Sequence, residues 1–372
     1  MAYRADDVLA DTDRIVSPEL YEHYGKALRR SVDVTFTQDN GSGLSDRLRA
    51  NASWFAAHKS AYVMQTLREI EADDAIQDKA SAKKMALKLF DRWMDAEVNT
   101  ATARARTAKQ FEEFMQPDNV RLFPNLRWIA SRSADPRASH TKFYDRVWAK
   151  NDPFWQTNAP GTEWNCKCDI EETDDPVTDN SGVPHHIPPR GLEGNPAETG
   201  QLFTENASYV RGTKGVEREV SGVWKFQERE RLKTDKSFKQ KILAQKAMCK
   251  YDGVVSKIII EETGIDEALH SSFGSPDFVL KNYSLRRIGQ LMKDAEYLGW
   301  MEVDLHNSKK SPKYRFKLDK DIFLYYRSTL PNGEPCYFHL CRNKFNGDIY
   351  LYSLTTMLNM DSVKNSKVPD VG

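Results

Sequence analysis

The chain has 372 residues, 40% hydrophobic and 29% charged, with a formal net charge of zero. It is too long for one core and too apolar for a disordered polymer, so two or three folded domains are expected. Its longest apolar runs are a few residues, which excludes a transmembrane helix, and Met1-Ala2-Tyr3-Arg4-Ala5-Asp6-Asp7 lacks the apolar core of a Sec-type signal. Five cysteines without framework spacing point to reduced thiols in a cytoplasmic setting. The zero net charge hides a division: residues 160–222 hold 12 acidic against 5 basic groups, residues 223–372 hold 25 basic against 19 acidic. Modules with different partners fit that asymmetry, and a basic module is compatible with a nucleic-acid substrate.

Ser17-Pro18-Glu19 reads as a helix start, with Ser as cap and Pro at the first position, leading into residues 20–31. From Ser45 a long helix is predicted, with Leu48, Trp54, Phe55, Ala61, Leu67 and Ile70 at helical intervals, broken at Ala72-Asp73-Asp74. A second starts near Ser81 and carries Met85, Leu89, Trp93, Val98 and Ala101 on its apolar face, through Phe111 and Phe114 to Pro117. Two such helices, each roughly 40–50 Å long, form a scaffold hairpin.

After Pro124 a short strand is expected over 126–130, then a turn through Asp135-Pro136-Arg137 into a helical turn bearing His140. Loops follow to Cys166 and Cys168. Residues 172–198 are acidic and then rich in Pro and Gly, which predicts an extended surface segment, followed by a short helix near 199–209. The last part reads as a charged helix over 223–248, a strand over 254–261 and a single helical turn ending at His270. A Ser284-capped helix follows, with Leu285, Ile288, Leu291, Met292, Ala295 and Leu298 as its apolar face. Runs 321–330, 335–343 and 348–355 are separated by Asn332-Gly333 and Asn346-Gly347, which predicts a three-stranded antiparallel meander. The fold class is multidomain α+β: a helical region (1–125), a loop-rich Trp/Cys clasp (126–172), an acidic linker (173–222) and an α+β domain (223–372).

Two groups of residues carry candidate chemistry. His140, Cys166 and Cys168, with Asp135 or Asp145 as a fourth ligand, have the donor set of a zinc site. Cys-x-Cys is tighter than the usual spacing, however, and no second pair occurs. The expectation is therefore a clasp stapled by Trp148, Trp155 and Trp164 around a hydrogen-bonded His, with no metal and no cofactor. His185-His186 has no ligand-like neighbours in sequence. In the last domain His270, Arg327, His339, Arg342, Ser353 and Thr355 suit metal-independent phosphodiester cleavage, which needs a base, an acid and a cation. With two-residue turns, Arg327 pairs with Phe338 and Arg342 with Leu351. Arg327, Arg342, Ser353 and Thr355 then share one sheet face, with Tyr326, His339 and Tyr352 on the other. A single cleft drawing on both faces would require a bulge.

The stretch 128–168 resembles the core of the phage Mu F-like minor head proteins, the phage head-morphogenesis family. The shared features are Arg137 followed by His140, Tyr144-Asp145, Asp152-Pro153-Phe154-Trp155, and Pro160 through Trp164-Asn165-Cys166-Lys167-Cys168. Residues 51–59 and 92–106 supply the Lys-rich and Trp/Phe-rich helical part that precedes this core, so the resemblance covers residues 45–172. Arg146 stands where the family often has Gly, and Lys167 where Arg is usual. The resemblance implies a protein of few copies per particle, made in the host cytoplasm and ending in the virion interior. It further implies a role in capsid assembly or DNA delivery, with portal and capsid proteins and phage DNA as partners. It casts Arg137, His140, Asp145, Trp155, Trp164, Cys166 and Cys168 as a structural clasp.

Residues 250–358 are similar, on shorter motifs, to the phage-borne nucleases of the barnase–EndoU–colicin–RelE group. That similarity implies an endoribonuclease with an RNA substrate and an immunity partner. It carries over His270, Arg327, Arg342 and Ser353 or Thr355 as catalytic residues, with His339 in reserve. The alternative is a domain that binds a virion protein or DNA without catalysis. An ADP-ribosyltransferase tail is disfavoured because no glutamate follows Glu334.

Overall fold

A computed structural model describes residues 3–38, 41–131, 133, 136, 138–183, 187–251, 253–302, 322–343, 346–358 and 363. The chain divides into two compact units, residues 1–39 with 47–224 and residues 40–46 with 225–372. Helices and sheets occur in both, which makes this a multidomain α+β protein.

The first unit begins with α1 (Ala5–Leu9), α2 (Pro18–Asp33), all but the first turn of α3 (Leu44–Ala72), α4 (Lys79–Phe114) and α5 (Pro117–Leu122). Ser17 caps α2, its Oγ accepting from the Leu20 amide at 3.3 Å, and Asp78 caps α4 through the Ser81 amide at 3.0 Å. A small antiparallel sheet follows, in the order β2-β1-β3, from β1 (Asn125–Ile129), β2 (Val147–Ala149) and β3 (Asp169–Thr173). Between its strands lie α6 (Ala138–Thr141) and α7 (Phe154–Asn158), and beyond it α8 (Pro196–Thr199) and α9 (Ser208–Gly212). Residues 141–168 were expected to be loops throughout; β2 and α7 are the regular pieces within them.

The first half of the apolar stripe expected on α4 is turned outward, while Ala101 and Phe111 from its second half are buried as expected. Met85, Leu89 and Trp93 are 70%, 42% and 44% exposed, while Leu87, Phe90, Met94, Glu97, Ala101, Arg104, Ala108 and Phe111 are buried. The buried face is the one whose polar groups find partners. Lys59 on α3 is fully buried, donating to Glu97 Oε2 at 2.6 Å and to the Phe90 carbonyl at 3.0 Å, while the Tyr209 hydroxyl donates to Glu97 Oε1 at 2.7 Å. A buried ion pair with its remaining lone pairs satisfied holds two helices in one register.

Arg104 is the second such group. Its guanidinium is wholly buried and donates to the carbonyls of Leu192 (2.9 Å), Glu193 (3.3 Å), Gly194 (3.1 Å) and Gln201 (3.2 Å), with Gly161 at 3.5 Å. Asn51 clamps the same segment, accepting from the Leu202 and Phe203 amides at 2.8 and 2.9 Å and donating to the Phe203 carbonyl at 2.9 Å. Leu192, Leu202 and Phe203 are fully buried, and Phe203 stacks on Phe55 with centroids 3.9 Å apart. The described residues of 174–190 are exposed or half-buried, as expected of a surface segment, whereas the chain from Gly191 onward is packed, because buried donors on α3 and α4 need its carbonyls and amides.

The second unit contains the C-terminal part of α10 (Glu217–Thr234), α11 (Lys236–Leu243), α12 (Glu262–His270), α13 (Phe278–Ser284) and α14 (Ile288–Lys293). Its sheet has the order β4-β5-β9-β8-β7-β6, from β4 (Ala247–Tyr251), β5 (Val254–Ile259), β6 (Glu296–Glu302), β7 (Ile322–Thr329), β8 (Pro335–Arg342) and β9 (Ile349–Thr355). All neighbours pair antiparallel except β5 and β9, which are parallel. The meander is present as expected, but it sits within a wider sheet. The charged helix is interrupted at Asp235, which caps α11 through the Phe238 amide at 3.0 Å. Ser284 does not cap; its Oγ donates to the Leu280 carbonyl at 2.9 Å, and Leu298 belongs to β6. The single turn expected before His270 is a nine-residue helix.

Replacing Arg104 leaves several buried carbonyls without donors. Arg104→Met is expected to destabilise the first unit by about 3–5 kcal/mol and to open residues 187–205 to limited proteolysis. Chemical denaturation followed by tryptophan fluorescence, with proteolytic mapping, measures both.

Candidate functional site

The clasp is an aromatic core with a polar pocket beside it. Trp128 from β1, Phe143, Trp148 from β2, Trp155 from α7 and Phe111 from α4 are all buried. Trp128 and Trp155 lie parallel, with centroids 6.3 Å apart, and Trp148 stacks on Phe154 at 3.9 Å. The Trp155 indole donates to the Ala149 carbonyl at 2.9 Å, so its one polar atom is satisfied. Trp164 leaves this group and stacks on Phe203 at 5.9 Å. Asp145 is exposed and left-handed (φ 58°), and its amide donates to the Trp128 carbonyl at 2.9 Å. It shapes the turn into β2, a conformation that a short polar side chain tolerates. Arg137, Asp135, His185 and His186 lie outside the described residues.

A row of polar residues on α4 positions the Cys loop. Thr100 Oγ1 accepts from the Asn165 amide at 2.9 Å, Thr107 donates to the Pro160 carbonyl at 2.9 Å, Arg106 to the Cys168 carbonyl at 3.2 Å, and Gln110 to Asp169 Oδ1 at 2.8 Å. Gly161 has φ 89°, and a Cβ there would lie 2.8 Å from Arg104 Cγ and 3.1 Å from its backbone nitrogen. Only glycine lets the loop touch the helix.

Cys166 and Cys168 lead into β3 and stand two residues apart, so an extended backbone turns both sulfurs the same way. They meet His140 from α6: the Sγ atoms lie 3.8 and 3.4 Å from His140 Nδ1. All three side chains are buried, and their ligand atoms lie within 4.8 Å of one another. On the far side of the ring, Glu163 Oε1 is 3.9 Å from Nε2. The Trp128 indole N–H and the Tyr144 hydroxyl reach towards the Cys168 sulfur. Cys166 is pushed down to about 4, chiefly by the hydrogen bond from Cys168 and secondarily by His140; that same bond and burial push Cys168 up. A cavity of about 500 Å³ opens beside the three side chains, lined also by Asn99, Ser131, Ser133 and Asn165. Among the described residues Asp145 is not part of the cluster. Glu163, three residues before Cys166, joins this group by the fold; the sequence spacing does not single it out.

In the second unit the sheet register differs from expectation. Arg327 pairs with Tyr337 and Arg342 with Ile349. The first turn takes three residues, Pro331-Asn332-Gly333, with Gly333 at φ 89° and the Leu330 amide donating to the Glu334 carbonyl at 2.8 Å. Beyond β8 the Asn343 amide donates to the Asp348 carbonyl at 2.8 Å, and a bulge at Tyr352 shifts β9 against β8. Arg327, His339, Ser353 and Thr355 therefore share one face. Arg342, expected among them, lies on the opposite face, over the Tyr251 ring at 5.6 Å.

The Ser353 hydroxyl is 2.6 Å from that of Ser271, and Thr355 pairs with Ser272, so both are tied to the end of α12. His270, at the last position of α12, is exposed; partial burial, then the Arg229 and Lys233 charges, lower its pKa. Burial lowers His339 to about 4, and its ring meets Tyr325 edge-on at 4.7 Å. Arg327 is exposed.

Residues 49–171, which carry most of α3, all of α4 and the clasp, match the model of the family described as Phage Mu protein F like protein. The match lies wholly within the first unit, and residues 225–372 lie outside it. Over 133 residues the chain is 27% identical to the Mu-like prophage FluMu F protein of Haemophilus influenzae, covering 34% of this chain and 30% of that protein. Over 73 residues it is 32% identical to the putative capsid assembly protein F of Escherichia phage Mu, covering 20% of this chain and 16% of that one. The chain spans less than a third of either relative. No solved structure matches.

His339 titrates well below its ordinary value in the folded state, so the unfolded chain binds more protons between about pH 6.5 and pH 4. The stability of the second unit is expected to fall as pH falls through that window. His339→Gln should flatten that part of the profile, as measured by denaturant unfolding at a series of pH values.

Proposed function

We propose that this is a minor head protein of a phage or prophage, acting in capsid assembly or DNA delivery, with portal and capsid proteins as its partners. The observation that carries this is the coincidence of the 49–171 match with one physical object, the α3–α4 scaffold and the aromatic clasp it holds. The printed name of the phage Mu relative, a putative capsid assembly protein, points the same way. Among the described residues no helix is long and apolar enough to cross a membrane. Assembly would take place in the host cytoplasm, and the protein would end in the virion interior. The contact with a capsid or portal protein is assigned to the outward stripe of α4, where Met85, Leu89 and Trp93 recur every four residues beside Lys84, Lys88 and Arg92. Trp93→Asp is expected to lower the yield of infectious particles by about tenfold or more in complementation while leaving thermal unfolding unchanged. An unchanged yield would remove the stripe from the assembly interface.

For residues 225–372 we propose a metal-independent endoribonuclease with an RNA substrate and an immunity partner. The supporting observation is the face shared by Arg327, His339, Ser353 and Thr355, with His270 one residue from the Ser271–Ser353 contact. Arg327 would supply the cation and His270 the proton transfer; Arg342 has no part on this face. Full-length protein incubated with total RNA and EDTA is expected to cleave it, and His270→Ala with Arg327→Ala to lower the rate by about 10²-fold or more. No cleavage by wild type, or equal cleavage by the double variant, assigns the unit to binding a virion protein or packaged DNA.

A further inference from the structure

We propose that His140, Cys166 and Cys168 bind a zinc ion, with His140 Nδ1 and the two thiolates as ligands, Glu163 as the carboxylate that orients the imidazole, and water from the adjacent cavity in the fourth position. This stands independently of the head-assembly role. Zinc–sulfur bonds of about 2.3 Å and zinc–nitrogen bonds of about 2.05 Å in a tetrahedron separate nitrogen from sulfur by about 3.6 Å. The observed separations, 3.8 and 3.4 Å, bracket that value. Two sulfurs converge on one imidazole nitrogen, whose single lone pair accepts one S–H; an ion between the three atoms accounts for both contacts. Glu163 Oε1 lies 3.9 Å from Nε2, and closing that distance would let it accept from Nε2–H and leave Nδ1 as the donor atom. The Trp128 indole N–H has no oxygen or nitrogen partner and reaches towards Cys168, the placement of an outer donor to a metal-bound thiolate. The cavity lined by Asn99, Ser131, Ser133 and Asn165 reaches the same three ligands and gives the fourth position room for water. Binding needs both sulfurs as thiolates, so the thiol proton that Cys168 carries is released to solvent as the second zinc–sulfur bond forms. The ion would join α6 to the start of β3 across the loop that carries the clasp.

The test uses the full-length chain purified without chelator. One zinc per chain is expected by elemental mass spectrometry. Cobalt exchange should give the visible bands of a tetrahedral site and thiolate-to-cobalt charge transfer in the near ultraviolet. Cys166→Ser with Cys168→Ser should lose both the stoichiometry and the spectrum. Glu163→Gln, which keeps every ligand, should bind zinc about 10–100-fold more weakly in competition with a chromophoric chelator. The proposal is overturned if folded wild-type protein takes up neither zinc nor cobalt and shows two titratable thiols or a Cys166–Cys168 disulfide. Full zinc content in the double Cys variant would also overturn it. If that variant fails to fold, the cobalt spectrum of wild type and the Glu163→Gln affinity decide.

Discussion

A guanidinium that never loses its charge, placed where no water reaches it, has to be surrounded by acceptors. Arg104 meets that constraint with backbone carbonyls from segments far apart in the chain. Its demand fixes which face of α4 turns inward, why Gly161 lies against the helix, and why residues 191–201 are packed. Lys59 and Glu97 impose a similar condition on α3 and α4. The scaffold is organised by polar groups that must be satisfied, and the apolar side chains fill the space around them. Breaking either network would strand a buried charge, which is why such groups specify one arrangement even where their net contribution to stability is small.

The clasp uses the opposite material. Its stacked indoles exclude water, and each fully buried aromatic contributes about 2–3 kcal/mol. What the dry wall does to its neighbours follows from electrostatics. A histidine and two thiols on its edge interact strongly because little solvent screens them, so one sulfur gives up its proton easily and the other resists. The aromatic shell and the polar cluster are one construction, since the hydrophobic packing sets the conditions for the chemistry at its rim.

Much of this architecture was legible in the residues. Ser17-Pro18 marked a helix start, Ala72-Asp73-Asp74 marked a stop, and the Asn-Gly pairs marked the meander, because caps and turns are governed by local chemistry. What escaped depends on distant partners. Hydrophobicity placed Met85, Leu89 and Trp93 inside α4, whereas the helix is oriented by Glu97 and Arg104, whose partners no local pattern reveals. Arg342 leaves the face of Arg327 because the first turn takes three residues in place of two, and the bulge at Tyr352 turns Ser353 and Thr355 back to Arg327's face. Because side chains alternate at every residue, a one-residue slip moves a whole strand's set to the other face. At the Cys pair the sequence already named His140, which comes from α6, 26 residues before Cys166; Glu163, on the far side of its ring, is the neighbour that spacing did not single out.

The place of β9 in the second sheet has a consequence for how that unit is made. Residues 349–355 are the last strand in sequence among the described residues but lie in the middle of the order, between β5 and β8. A nascent chain still in the ribosome therefore exposes two unpaired strand edges where the finished sheet has none, and closure waits for long-range pairing across about ninety residues. A chain cut short before Ile349 would lose the centre of the sheet and leave two sticky halves, making this unit sensitive to early termination and dependent on the cell's handling of newly released polypeptides.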